Sequence, residues 1–193
     1  MLRTGKIIGA ALLLAAAVYA AGPVVHDIDG KAFYPMQPAG AAEVLFFITS
    51  DCPISNFYAP EIQRICRDYS GKSVSCALVY VDPTMAVGSV RQHLHDFGYS
   101  GIPAILDNKH IVVQAAGATV TPEAVLVGHD GKKRYEGRID NFYAGLGKPR
   151  RQATTHDLRT ALDEVLAGKA VTTPKTNAVG CYIPPLDIVS SSR

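Results

Sequence analysis

Cys52-Pro53-Ile54-Ser55 is the stretch of this chain best suited to chemistry. A single thiol stands where the apolar run Val44-Leu45-Phe46-Phe47-Ile48 ends and a helical pattern begins. A cysteine at a helix N-terminus faces unpaired backbone N–H groups and the positive end of the macrodipole. Both favour the thiolate, the reactive form of the residue. The second thiol of a Cys-x-x-Cys pair is absent, because position 55 is serine. A hydroxyl there can hydrogen-bond a thiolate but cannot displace a mixed disulfide, so a cycle of thiol exchange needs another sulfur.

Three further cysteines are present, Cys66, Cys76 and Cys181. Cys66 falls near the end of the first predicted helix and Cys76 in the strand after it. Elements joined by a short turn pack together, so a structural disulfide between them and two small buried apolar residues are both open readings. Cys181, after Gly180 in a polar C-terminal stretch, is a candidate resolving thiol or a residue buried beneath the tail. No Cys-x-x-Cys-His or zinc-ribbon spacing occurs. His93 and His95 lie two apart on a helix, point different ways, and read as surface or boundary residues. No metal or organic cofactor is implied.

The elements that must position Cys52 can be read from apolar spacing. Glu43 to Thr49 is continuously apolar, as in a strand covered on both faces. Ile54 to Tyr69 has helical spacing, with Pro60 inside it and Ser70-Gly71 as its stop. Ser73 to Val81 predicts a strand, Ala86 to Phe97 a helix, Ile102 to Leu106 a strand and Lys109 to Ala116 a short helix. Ala124 to Val127 and Lys132 to Ile139 flank the hairpin signal His129-Asp130-Gly131. Thr155 to Ala167 predicts a final helix, with Thr154-x-x-Asp157 as a capping box. This order implies an α/β fold, a central mixed β-sheet flanked by helices on both faces.

At the N-terminus, Arg3 and Lys6 precede a 12-residue apolar stretch, Ile7 to Val18, and small residues follow. That is the layout of a signal peptide over residues 1–20, shorter than the ~20 apolar residues of a membrane span. Its loss takes the 19 basic side chains to 17, equal to the 17 acidic ones. The expected product is a periplasmic or secreted protein with no stable membrane span and no nucleic-acid surface. The remaining 173 of 193 residues suit one domain over residues 24–168 and an extended tail over 169–193.

Phe47-Ile48-Thr49-Ser50-Asp51-Cys52-Pro53, the helix proline Pro60, Thr121-Pro122-Glu123, Asp130-Gly131-Lys132 and Gly137-Arg138-Ile139-Asp140 together resemble the thioredoxin-like superfamily. More narrowly, they resemble its extracytoplasmic redoxin branch, which borders the peroxiredoxins (the alkyl hydroperoxide reductase and thiol-specific antioxidant group). The resemblance covers roughly Val24 to Ala167. It implies a thioredoxin-like fold and a cis peptide between Thr121 and Pro122. Pro122 would then lie beside the nucleophilic sulfur, leaving nearby backbone groups free to dock a thiol substrate.

Three activities follow. In the first, Cys52 is the single active-site nucleophile of a thiol–disulfide oxidoreductase, Thr49 and Ser55 are its polar neighbours, and the partner is a thiol or disulfide protein. Asp51 departs from the pattern, and its carboxylate would oppose the thiolate. In the second, Thr49-x-x-Cys52 serves a peroxidase acting on peroxide, with Cys181 resolving a sulfenic acid. The proline expected upstream is Leu45, and the arginine expected opposite the nucleophile is replaced by Pro122, with Arg138 as a substitute. In the third, the domain is a non-catalytic binding or adaptor module.

Overall fold

The structure is a computed structural model that describes residues 22–186. The signal-peptide reading of residues 1–20 therefore lies outside the described residues. Among these, no helix is long and apolar enough to cross a membrane.

A short hairpin, β1 (Val25–His26) and β2 (Ala32–Phe33), precedes the main sheet. β3 (Ala42–Ile48) leads into α1 (Pro53–Ser70), and β4 (Val74–Tyr80) into α2 (Val87–Asp96). β5 (Ala104–Leu106) and α3 (Ile111–Ala116) follow, then β6 (Val120–Thr121). The hairpin of β7 (Glu123–Gly128) and β8 (Lys133–Gly137) precedes α4 (Asp157–Leu166), and β9 (Cys181–Tyr182) comes last. The central sheet has the order β5-β4-β3-β7-β8. β3, β4 and β5 run parallel, while β7 is antiparallel to both β3 and β8.

β3 is central and wholly buried, and its alternation divides the core. Val44, Phe46 and Ile48 join Ile54, Ile62 and Ile65 of α1, Val90 of α2, and Leu158 and Leu162 of α4. Leu45 and Phe47 face the other way, against Val112, Val113 and Ala116 of α3 and the partly buried Val25 and Phe33 of the first hairpin. A strand buried on both faces explains why the sequence there shows no period of two.

Two sequence expectations change here. The N-cap of α4 is His156, without a side-chain cap bond, and not Thr154. Asn141 explains the difference. Its Nδ2 donates to Thr154 Oγ1 at 2.7 Å and its Oδ1 accepts from the N–H of Thr154 at 2.7 Å, so Thr154 is bound to the preceding loop. His93 is buried between sheet and helix and is not a boundary residue. The tail after α4 runs extended along the domain. Glu136 exchanges backbone hydrogen bonds with Pro174 and Thr176, Val179 packs on the core, and β9 pairs antiparallel with β6.

Candidate active site

Cys52 is the N-cap of α1, in extended conformation (φ −81°, ψ 111°), with Pro53 opening the helix. Proline suits this place because its missing N–H would have been unpaired there and its φ is preset for a helix. The carbonyl of Cys52 accepts from the N–H of Asn56 at 3.0 Å, closing the first turn. Ser55 lies one turn along, and its buried hydroxyl has no oxygen or nitrogen partner. It is among the groups that hold the Cys52 thiol below its ordinary pKa.

The loop before the thiol is held from behind. Asn56 Nδ2 donates to the carbonyl of Ser50 at 2.8 Å. That spends the amide nitrogen, so Asn56 Oδ1 faces His93 Nε2 at 2.9 Å and must accept. His93 is thereby fixed as the Nε2–H tautomer, and its Nδ1 accepts from the Tyr80 hydroxyl at 2.8 Å. Burial holds the His93 pKa below its ordinary value, consistent with a neutral ring in this chain of bonds. Sequence reading missed Asn56, His93 and Tyr80 as supports. Their only local signal is a polar Asn on an otherwise apolar helix face.

β6 supplies the opposite wall. The Thr121–Pro122 peptide is cis. Glu123 folds back to accept from the N–H groups of Thr119 at 2.8 Å and Val120 at 3.3 Å, which fixes the turn around Pro122. The carbonyl of Thr121 lies 3.2 Å from Cys52 Sγ, within reach of the protonated thiol. Buried Thr49 and Thr121 approach each other with hydroxyls 3.4 Å apart.

The sequence shows one cysteine at the helix start, yet the site holds two sulfurs. β9 lies beside β6 in the register Thr121 opposite Cys181, and this brings Cys181 Sγ to 2.7 Å from Cys52 Sγ. Their separation in sequence is 129 residues. The expectation of a lone active-site cysteine therefore gives way to a pair whose second member comes from the tail. Gly180 permits the approach: a Cβ there would lie 1.9 Å from the carbonyl oxygen of Thr121.

The two thiols are electrostatically unequal. Burial pushes the Cys52 thiol up, but the Cys181 thiol, the N–H and hydroxyl of Ser55, and the backbone of Cys181 together hold its pKa below the ordinary value. Cys181 is pushed up to about 12 by burial, by its bond to Cys52, by the Cys52 charge and by the Asp51 carboxylate. The arrangement favours one thiolate, on Cys52, hydrogen-bonded by one thiol. Asp51, which the sequence suggested would oppose the nucleophile, acts on Cys181.

Arg138 does not reach toward the sulfurs as a peroxide-polarising group would. Its guanidinium makes a two-pronged pair with Asp157, at 2.9 and 3.0 Å. Cys66 and Cys76 are joined by a disulfide, with Cα atoms 5.8 Å apart, linking α1 to β4. Among the described residues, no group of three or more His, Cys, Asp and Glu side chains could hold a metal ion.

The sequence matches no protein-family model and no curated protein sequence; the likeness lies in structure. A hypothetical protein from Sinorhizobium meliloti is similar with a TM-score of 0.71 and 28% identity, over 85% of this chain and 91% of that one. A candidate thioredoxin from Neisseria meningitidis matches with a TM-score of 0.58 and 25% identity, over 76% and 90%. A secreted Mycobacterium tuberculosis disulfide oxidoreductase matches with a TM-score of 0.53 and 17% identity, over 77% and 96%. The chain has the thioredoxin-like fold. In this fold, the loop after β3 carries Cys52 at the start of α1, and the cis Thr121–Pro122 turn stands across from it.

Proposed function

We propose that this protein is an extracytoplasmic thiol–disulfide oxidoreductase whose redox couple is Cys52 and Cys181. The observation that carries the reading is the 2.7 Å gap between the two sulfurs. A closing movement of less than an ångström takes them to the ~2.05 Å of a disulfide. The downward shift of the Cys52 pKa and the upward shift of that of Cys181 fit the two halves of an exchange cycle, a favoured thiolate and a protonated partner. Thr49 and Ser55 are the polar neighbours, while Thr121 and Pro122, expected to dock a substrate, are buried, with Thr121 paired to Cys181, so the tail strand occupies that edge.

The cycle needs no metal and no organic group. A substrate disulfide is reduced, or a substrate dithiol oxidised, as the Cys52–Cys181 bond forms or breaks. The partner is a protein thiol or disulfide. The Cys66–Cys76 bridge supports an oxidising compartment, because structural disulfides persist there and are rare in the cytosol. The leader-like residues 1–20 point the same way.

The test is equilibration of the purified protein in glutathione buffers of graded potential, followed by acid quench, thiol labelling and peptide mass spectrometry. Cys52 and Cys181 should exchange together as one two-electron couple, while Cys66–Cys76 stays closed. If Cys52→Ser catalyses disulfide exchange as fast as the parent, the reading fails.

A further inference from the structure

The sulfur that looks nucleophilic is not the one that a substrate can reach. Cys52 is 1% exposed, enclosed by Cys181, the carbonyl of Thr121 and Ser55. Cys181 is only partly buried. It lines an open cleft of about 180 Å³ together with Thr49, Asp51, Asp82, Thr84 and Tyr182. That volume is below the several hundred Å³ of a small-molecule site, and suits one side chain of an incoming chain. Tyr182 stands 84% exposed next to the sulfur.

We infer that an incoming substrate thiolate attacks the oxidised protein at Cys181, through this cleft, so that the mixed disulfide forms on the tail cysteine. This deepens the reading above and rests on the Cys52–Cys181 couple. Exchange is a displacement in line with the breaking bond, so the attacking, central and leaving sulfurs are nearly collinear. Attack on Cys52 with Cys181 leaving would require entry from the side of Cys52 that the protein encloses. Attack on Cys181 with Cys52 leaving is open from the cleft.

In the first step the substrate sulfur bonds to Cys181 and the Cys181–Cys52 bond breaks. Cys52 leaves with the electron pair as a thiolate. The leaving group is then the sulfur whose anion is stabilised, which speeds departure. In the second step the substrate's other thiolate attacks its own sulfur in the mixed disulfide. Cys181 departs and takes a proton from water. Two substrate thiols are oxidised to one disulfide, and the protein disulfide is reduced to the Cys52 thiolate and Cys181 thiol. In the reducing direction the Cys181 thiol passes its proton to the Cys52 thiolate it bonds as its sulfur attacks the substrate disulfide and expels one substrate thiolate; Cys52, deprotonated again by solvent, then attacks Cys181 to release the other. Cys52 is thus the internal resolver, and Cys181 is the catalytic sulfur that touches substrate.

The experiment mixes the oxidised full chain, with Cys66–Cys76 intact, with cysteamine. Samples are acid-quenched at successive times, labelled with N-ethylmaleimide, digested and sequenced by mass spectrometry. At the earliest times cysteamine should sit on Cys181 and the label on Cys52, in about tenfold excess or more over the opposite pattern. Cysteamine on Cys52, or on both in comparable amounts, overturns the inference while leaving the couple standing. Failure to form any adduct, with no opening of the Cys52–Cys181 bond, overturns both.

Discussion

Gly180→Ala should separate the two sulfurs without touching either. The Cβ that alanine adds would lie 1.9 Å from the carbonyl oxygen of Thr121, 2.6 Å from its carbon and 3.1 Å from the nitrogen of Pro122. All three are backbone atoms, so no flexible side chain can yield. Ordinary contact begins at 3.4 Å, so β9 must retreat by about 1.5 Å. Retreat on that scale would open the 2.7 Å sulfur gap toward 4 Å and strain the β6–β9 pairing. Overpacking of this kind costs about 1–3 kcal/mol. At 1.36 kcal/mol per factor of ten, the equilibrium constant for forming Cys52–Cys181 against glutathione should fall roughly tenfold to a hundredfold. The assay is the thiol–disulfide ratio across glutathione buffers, read by labelling and mass spectrometry. Gly71→Ala is the control, since Gly71 has φ −69° and nothing near its Cβ position. An unchanged equilibrium constant in Gly180→Ala, with the fold intact, would refute the claim that close seating of this strand sets the sulfur pair.

Three further predictions concern charge and covalent restraint. Ser55→Ala removes a hydroxyl that favours the Cys52 thiolate and has no oxygen or nitrogen partner. The pH midpoint of thiolate absorbance should rise with no loss of thermal stability; a lower midpoint sinks the assignment. Burial pushes the Glu43 carboxyl up to about 7 from 4.5, and its Oε2 has no partner. Stability is therefore full below pH 4.5, falls between 4.5 and 7 as the unfolded chain ionises and the folded one does not, and levels off above, a loss on the order of 3 kcal/mol. Glu43→Gln should flatten the dependence of Tm on pH across this range, and a parallel curve for the variant would rule Glu43 out. Replacing both Cys66 and Cys76 by serine opens a bridge of sequence separation 10 and should cost about 2–3 kcal/mol in urea unfolding, while glutathione exchange at Cys52 persists. A variant as stable as the parent would show that the bridge contributes no restraint.

Much of the fold was legible because it depends on local runs. The apolar strand Glu43 to Thr49, the helix after Cys52 and the hairpin at Asp130-Gly131 each carry their own pattern, and their order implies the layered sheet. Local pattern also placed a thiol at a helix start, where its N-cap role is a matter of neighbours in sequence. What was not legible depends on elements far apart in the chain. The burial of His93 rests on Tyr80 and Asn56, which come from a different strand and helix. Thr154 reads as a cap until Asn141, 13 residues earlier, takes up its polar groups. Phe57 has the spacing of a core residue, yet it is 47% exposed and stacks on Phe142 at 4.5 Å. Cys181 could be named as a candidate, but its distance from Cys52 is set by pairing of two-residue strands that have no periodicity to read.

A Cys-x-x-Cys pair can close in an unfolded chain, since its two sulfurs are never far apart. The pair described here spans 129 residues, and in a disordered chain its members meet rarely. Chain-entropy arithmetic for a loop of this length puts the stabilisation by the closed bond at about 5 kcal/mol. By the same cycle, folding favours closure to an equal degree. The oxidising equivalent therefore becomes a property of the folded protein: the bond closes readily only once the strand carrying Cys181 has been synthesised and docked, and unfolding leaves it far easier for a thiol buffer to reduce. Redox capacity in this molecule doubles as a report that the last strand is in place.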